Sequence, residues 1–133
     1  MRSRRESDGP ILRPDHRSPD VFGVGGVSKT LEQVRALVRR GEVLVSLHGY
    51  EELVQDGIRV SDAVAGLERA AVVEDYPTYA KGPCVLVLEH DGEGQPIHIV
   101  WGIPAGRDTP AVLITGYRPD PGKWDETWRR RRG

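Results

Sequence analysis

The side chains best suited to proton transfer in this sequence are two histidines and a tyrosine. His98 and Tyr117 lie in apolar segments of β-strand composition, and His48 follows Ser46 at a predicted helix start. If alternate residues of neighbouring strands face one side of a sheet, then His98, Thr115 and Tyr117 meet there. Histidine is the commonest general acid or base, so this group could support acid–base chemistry. A half-exposed polar histidine beside a packing tyrosine would explain the same residues without chemistry.

Aromatic and basic residues near the C-terminus form a second candidate site. Trp124 precedes a run of four arginines that begins at Arg129, and Arg118 follows the last predicted strand. Indole rings can stack on bases, and guanidinium groups can bind phosphates. The residues predicted to bind RNA or phosphate are therefore Arg118, Trp124, Arg129 and Arg130. The alternative is that this run is only solvated charge at a chain terminus.

Metal and cofactor chemistry find no support in the residue spacing. Cys84 is the only cysteine, and no pair of histidines has the spacing of zinc ligands. Nucleotide-binding and serine-hydrolase motifs do not occur in the sequence either. We therefore expect no metal and no cofactor. We expect Cys84, in an apolar strand segment, to be a buried and unreactive thiol.

Composition divides the 133-residue chain into a polar leader and one domain. Residues 1–27 hold too few apolar side chains to form a core, so we expect them to be disordered. Residues 28–133 have the periodicity of a single domain with a basic Trp/Arg tail. The formal net charge of −1 provides no overall basic surface for nucleic acid. Without an apolar run for a membrane span or secretory signal, we expect a cytoplasmic protein with no membrane partner.

The first half of the domain has helical periodicity. A short strand is predicted at 43–45, and three helices begin at residue types that commonly cap a helix N-terminus: Thr30, Ser46 and Ser61. The second helix is predicted to turn three residues to the core: Tyr50, Leu53 and Val54. The chain is predicted to leave the sheet at Pro119 and to end in a short helical turn.

The second half of the domain has the composition of β-strands. Four β-branched segments begin near residues 71, 83, 96 and 111, and short turn sequences join them. We therefore predict an α+β domain in which two to three N-terminal helices pack on one face of an antiparallel β-meander of about four strands.

Strand alternation predicts which side chains face the helices. Three residues of the third segment are expected on the helix side: Ile97, Ile99 and Trp101. His98 is then expected on a face that no element covers. In the last strand, Leu113 is expected on the same face as Thr115 and Tyr117.

The order of these motifs resembles that of a bacterial family. The motifs are, in chain order, SLH, GI before SDAV, VVEDYP, PIHIVW, ITGYRPD, and a late tryptophan followed by arginines. They resemble the domain-of-unknown-function family numbered four-two-five-eight over about residues 43–132. That family is similar to the RelE and BrnT group of toxins, which are metal-independent endoribonucleases of toxin–antitoxin pairs. The resemblance therefore implies a RelE- or barnase-like fold.

The resemblance also implies roles for individual residues. The implied catalytic residues are His48, His98 and Tyr117, with Thr115 in support. The late tryptophan and the arginines already named would bind RNA. The family often has His-Ala and then an arginine one helical turn later, whereas this chain has Gly49 and Glu52.

Two functions follow from these observations. The first is a toxin-like endoribonuclease that uses the 2′-hydroxyl of its RNA substrate as nucleophile, with RNA and a cognate antitoxin as partners. The alternative is a non-catalytic protein-interaction module on the same fold. The acidic net charge and Glu52 favour this alternative.

Overall fold

The structure is a computed structural model that describes residues 27–133. The predicted disordered leader, residues 1–27, lies outside the described residues except for Val27, so that prediction is untested. The helical elements are α1 (Lys29–Arg39), α2 (Leu47–Gln55), α3 (Val60–Ala65) and a 3₁₀ helix (Gly66–Arg69). The strands are β1 (Val43–Val45), β2 (Ala71–Tyr76), β3 (Cys84–His90), β4 (Pro96–Gly102) and β5 (Ala111–Tyr117).

The strands form one five-stranded mixed sheet in the order β1-β5-β4-β3-β2. Strands β2 to β5 form the antiparallel meander that the sequence predicts. Strand β1 pairs in parallel with β5. Parallel pairing requires a long connection, and here α2, α3 and the first three strands of the meander lie between the two strands. The α+β class is confirmed, and the predicted sheet of about four antiparallel strands is corrected to five strands with one parallel pair.

Helix starts follow side-chain capping in two of the three α-helices. The Ser46 hydroxyl accepts a hydrogen bond from the Gly49 amide at 2.9 Å, which caps α2 as predicted. At α1 the cap is Ser28, whose hydroxyl accepts from the Leu31 amide at 3.0 Å, so Thr30 lies inside the helix. Helix α3 begins one residue before Ser61 and has no side-chain cap.

One face of the sheet packs against the helices and forms the larger core. Its buried side chains include, from the helices, Leu31, Val34, Leu37 and Leu53, and from β4, Ile97, Ile99 and Trp101. The predicted orientation of these three β4 residues is confirmed. The buried side chains of α1, α2 and β4 thus share one apolar layer, as expected when helices cover a sheet.

The predicted orientation of Tyr50 and Val54 is wrong, because both are more than half exposed. Helix α2 packs on β5 through Gly49 and Leu53 instead. A Cβ atom at position 49 would lie 2.9 Å from the Ile114 carbonyl oxygen, so the missing side chain allows this close approach. The glycine therefore sets the rotation of the helix, and Tyr50 and Val54 turn to solvent.

The opposite face of the sheet is covered by residues 118–133, which we call the C-terminal segment. Trp124 is buried there and packs with residues of β3 and β4: Cys84, Leu86 and Val100. An isolated bridge from Trp124 to Arg131 folds the segment back on itself. The prediction that the His98 face lies open was wrong, because Trp124, which we expected to bind RNA, packs on it.

A bulge in β5 corrects the predicted strand alternation. Val100 pairs with Thr115, whereas the next residue, Trp101, pairs with Leu113, so Ile114 is the extra residue. Leu113 therefore faces the helices, although the sequence predicted it on the Tyr117 side. Thr115 and Tyr117 remain on the face opposite the helices.

Candidate functional site

Three of the predicted site residues meet on the face under the C-terminal segment. His98 pairs directly with Tyr117 in the sheet, and Thr115 pairs with Val100, which lies two residues after His98 on the same face of β4. The His98 Nδ1 atom lies 3.3 Å from the Tyr117 hydroxyl. The Trp124 ring contacts the imidazole edge-on, with 4.5 Å between the ring centroids. The predicted meeting of His98, Thr115 and Tyr117 on one face is confirmed, but His98 is fully buried.

The hydrogen bonds of His98 define its tautomer. Its Nε2 atom lies 2.7 Å from the Trp128 carbonyl oxygen, which can only accept, so Nε2 carries the proton. Nδ1 then accepts from the Tyr117 hydroxyl. Burial lowers the pKa of His98 to about 4, although the Trp128 carbonyl acts in the opposite direction. The ring is neutral at pH 7, and its pKa lies well below the value that suits a general base there.

Backbone strain accompanies this contact. Trp128 has a φ of 62°, a left-handed conformation that is rare for a large side chain. Its carbonyl oxygen accepts the hydrogen bond from His98 Nε2. The Arg131 guanidinium carbon lies 4.6 Å above the Trp124 ring, and the Arg131 side chain also forms an ion pair with Glu74 on β2. The segment is therefore fixed over His98 by several polar contacts.

His48 lies apart from this cluster. Its side chain is 68% exposed on α2, and Nε2 is 3.9 Å from a Glu52 carboxylate oxygen. Helix α2 packs on the helix side of the sheet through Leu53, whereas His98 faces the other side. The two histidines therefore do not share a site, and they cannot act as the acid–base pair that the family resemblance implies.

Two of the predicted phosphate ligands bind backbone carbonyls instead. Arg118 donates to the carbonyls of Asp56 and Gly57 at the end of α2 and forms a 3.0 Å ion pair with Asp91. Arg129 donates from Nε and Nη2 to the Val72 carbonyl, at 3.2 and 2.9 Å. These arginines join loops and strands of the domain, and both Arg129 and Arg130 remain exposed.

One buried acid was not singled out from the sequence. Glu89 faces the helix-side core, where its Oε2 accepts a hydrogen bond from the Trp101 indole at 3.1 Å. Burial raises the pKa of Glu89 to about 8, and the indole partly opposes this shift. Its Oε1 is buried without a hydrogen-bond partner in the described part of the chain. Its signal was an acid that continues the alternating positions of Val85 and Val87 along β3.

The thiol and the acids do not form a metal site. Cys84 is buried, as predicted, and burial raises the pKa of its thiol to about 12. Within residues 27–133, no group of three His, Cys, Asp or Glu side chains is placed to bind a metal ion. The same residues include no helix that is both long and apolar enough to cross a membrane.

Apart from Val27, the most exposed large apolar side chains of the described residues lie on α2 and β1. Leu47, Tyr50 and Val54 are 73%, 51% and 56% exposed, and their spacing places them on one side of α2. Leu44 of β1 is 58% exposed. Val43 and Val45 pack against the helix-side core, so Leu44 points to the opposite face of the sheet, beside its partner Val112. We therefore call the three α2 residues, Leu47, Tyr50 and Val54, the apolar stripe. Sequence reasoning missed it because α2 is apolar on two sides, and the side that Gly49 turns inward was not recognised.

A family model, described as Domain of unknown function (DUF4258), matches residues 45–118. The match includes α2, His98 and Tyr117, and it ends before Trp124 and the arginine run. No curated protein and no solved structure matches the chain. The similarity to RelE and BrnT toxins therefore stays a prediction.

Proposed function

We propose a protein-binding function for this chain, which belongs to the family described as Domain of unknown function (DUF4258). The observation that carries the proposal is the exposed apolar stripe of Leu47, Tyr50 and Val54 on α2. Contiguous apolar surface costs free energy in water, and where proteins expose it, it commonly marks an interaction site. On α2 the stripe has the i, i+3, i+7 spacing by which helices present anchors to a partner.

The edge of the sheet beside α2 supports the same proposal. Among the described residues, β1 pairs only with β5, and its other edge has no strand beside it. An open edge offers backbone donors and acceptors to an added strand. Leu44 lies in the middle of β1, and Leu47 begins the helix that follows it. A partner bound there would contact the edge and α2 together.

Charge around the stripe identifies the chemistry of the partner. Helix α2 contains Glu51 and Glu52, and it contains no lysine or arginine. A partner segment with apolar side chains and flanking lysines or arginines would complement this surface. A second copy of the chain would instead bring acidic helices together. We therefore propose a basic, apolar segment of a different protein as the ligand.

A photo-cross-linking amino acid at position 50 tests this proposal. In cells, it should capture one protein that the same group at the exposed positions 27 and 126 does not capture. With that protein purified, Tyr50→Ser combined with Val54→Ser should weaken binding at least about tenfold, because exposed anchors of this type contribute 1 kcal/mol or more. Val27→Ser is the matched control, since Val27 is 90% exposed elsewhere. Equal affinities for the two variants would contradict the proposal.

A second candidate function is the metal-independent endoribonuclease of a toxin–antitoxin pair. It is favoured by the proximity of His98 to Tyr117, 3.3 Å between Nδ1 and the hydroxyl, with Arg131 nearby. Cleavage there would need the C-terminal segment to move away from His98. The protein bound at the apolar stripe would then be the cognate antitoxin that the RelE and BrnT resemblance implies.

An RNA cleavage assay in EDTA tests this second candidate. Single-stranded RNA should be cut to ends with a 2′,3′-cyclic phosphate, and a strand with a 2′-deoxy sugar at the cut should stay intact. Tyr117→Phe should slow the cut while retaining the ring packing. His48→Ala should leave the rate unchanged, because His48 lies on the other side of the sheet. Cleavage that requires added magnesium, or no cleavage at all, would contradict this candidate.

A further inference from the structure

A pocket of about 370 Å³ opens on the same sheet face as the C-terminal segment, beside the buried tryptophan. Its floor consists of strand residues: Cys84, Val100, Gly102, Val112 and Ile114. Its walls come from the β2–β3 and β4–β5 loops: Tyr79, Lys81, Gly82, Pro83, Ile103 and Pro104. Small-molecule sites are commonly apolar clefts of roughly 300–1,000 Å³. The pocket has the size and the lining of such a site.

The depth of the pocket comes from a glycine in the sheet. Gly102 pairs with Cys84 on one side and with Val112 on the other, so it lies in the middle of a three-strand row. A Cβ atom there would lie 2.9 Å from the Ile114 Cδ1 atom and 3.2 Å from the Cys84 Cβ atom. The Ile114 methyl group therefore packs directly against the β4 backbone at Gly102, and no side chain of this residue projects into the pocket.

The walls of the pocket are held by backbone hydrogen bonds. The Ile103 amide donates to the Pro83 carbonyl at 3.1 Å, and the Ala105 amide donates to the Lys81 carbonyl at 3.2 Å. The two loops also touch at Gly82, where a Cβ atom would clash with the Ile103 carbonyl oxygen. Because the loops brace each other, the pocket exists before any ligand binds, which lowers the entropic cost of binding.

The lining residues define the ligand class. Lys81 is the only one that is charged at neutral pH, it is exposed, and no carboxylate is among them. We infer that the pocket binds a small amphipathic carboxylate, with its apolar body over Cys84, Val112 and Ile114 and its anionic group at the Lys81 ammonium. This binding site lies apart from α2 and does not depend on the proposed protein-binding function.

Titration with three eight-carbon probes, followed by the methyl resonances of Val112 and Ile114, tests the inference. Octanoate should bind, 1-octanol should bind more weakly, and octylammonium should bind weakest. Lys81→Gln should weaken octanoate about fivefold, the order expected for one exposed charge pair, and leave octanol unchanged. Lys29→Gln, an equally exposed lysine on α1, is the control. Equal octanoate affinities in the two variants, or tighter binding of octylammonium, would overturn the inference.

Two further measurements locate the apolar body. Val112→Trp should fill the half-exposed end of the pocket and abolish octanoate binding, with the fold checked by circular dichroism. Cys84 is the only cysteine, so its reaction with methyl methanethiosulfonate at pH 9 reports on the floor of the pocket. Saturating octanoate should slow this reaction at least about threefold. An unchanged rate, or full octanoate binding by the tryptophan variant, would place the ligand elsewhere.

Discussion

The cluster under the C-terminal segment and the outer side of α2 contrast in chemistry and in access. The cluster contains His98, Tyr117 and the arginines beside them, and its imidazole is fully buried. The outer side of α2 brings no comparable group of side chains together, yet it exposes Leu47, Tyr50 and Val54. Residue type therefore identified the side chains that could react, but it did not identify which side chains are exposed to solvent. Accessibility in this fold depends on what the C-terminal segment covers and on how Gly49 rotates α2.

The largest expected effect of a single substitution lies in the C-terminal segment. Trp124→Ala should cost roughly 3–5 kcal/mol of unfolding free energy, because a fully buried tryptophan leaves a large cavity. Glu126→Ala, an exposed neighbour, should change that free energy by less than about 0.5 kcal/mol. Urea unfolding measures both. Similar small losses for the two would mean that the segment does not cover the sheet.

His98→Ala is the next largest expected effect. Its removal breaks the hydrogen bonds from His98 to the Tyr117 hydroxyl and to the Trp128 carbonyl and opens a cavity, for a cost of roughly 2–4 kcal/mol. On the uncovered face that the sequence predicts for His98, the same substitution would cost far less. His48→Ala is the matched control and should cost almost nothing. Equal costs for the two histidine variants would contradict the buried position of His98.

Stability should depend on pH in opposite directions on the two faces of the sheet. The folded pKa of His98, about 4, lies below its unfolded value. The contribution of His98 to the free energy of unfolding is therefore complete above about pH 6.5 and is lost as pH falls toward 4. The folded pKa of Glu89, about 8, lies above its unfolded value. The contribution of Glu89 to the free energy of unfolding is therefore complete below about pH 4.5 and is lost as pH rises from there through 8.

Urea unfolding from pH 4.5 to 8.5 checks these two terms. The His98 term should reduce the free energy of unfolding by about 2 kcal/mol between pH 6.5 and 4.5, at 1.36 kcal/mol per pH unit. Glu89→Gln should remove a fall in stability that extends from about pH 4.5 to 8. Because that fall opposes the His98 term below pH 6.5, the His98 term is measured in this variant. If the alkaline fall persists in this variant, another group causes it.

Several features could be predicted from local pattern, and others depend on contacts distant in sequence. Ile97, Ile99 and Trp101 alternate strictly, so their common direction follows from strand geometry. The β5 bulge at Ile114 breaks that alternation, and no local signal marks it. The covering of His98 by Trp124 pairs residues 26 positions apart (124 − 98), which composition cannot reveal.

The smallest expected effect on stability belongs to the apolar stripe. Tyr50→Ser combined with Val54→Ser should change the free energy of unfolding by less than about 1 kcal/mol, because exposed side chains make few packing contacts. The same pair should abolish most of the partner affinity. Leu53→Ala, one helical position away and fully buried, should instead cost roughly 2–5 kcal/mol. A loss of stability in the double variant as large as that of Leu53→Ala would mean that the stripe packs within the domain.

Hydrogen–deuterium exchange of the chain with and without its purified partner tests the central claim most directly. The account predicts slower exchange in β1 and α2, residues 43–55, when the partner binds. It predicts unchanged exchange in β4 and in the C-terminal segment, residues 96–102 and 118–133. Slower exchange confined to β4 and the C-terminal segment, with 43–55 unchanged, would show that the partner binds over His98 and would contradict the account.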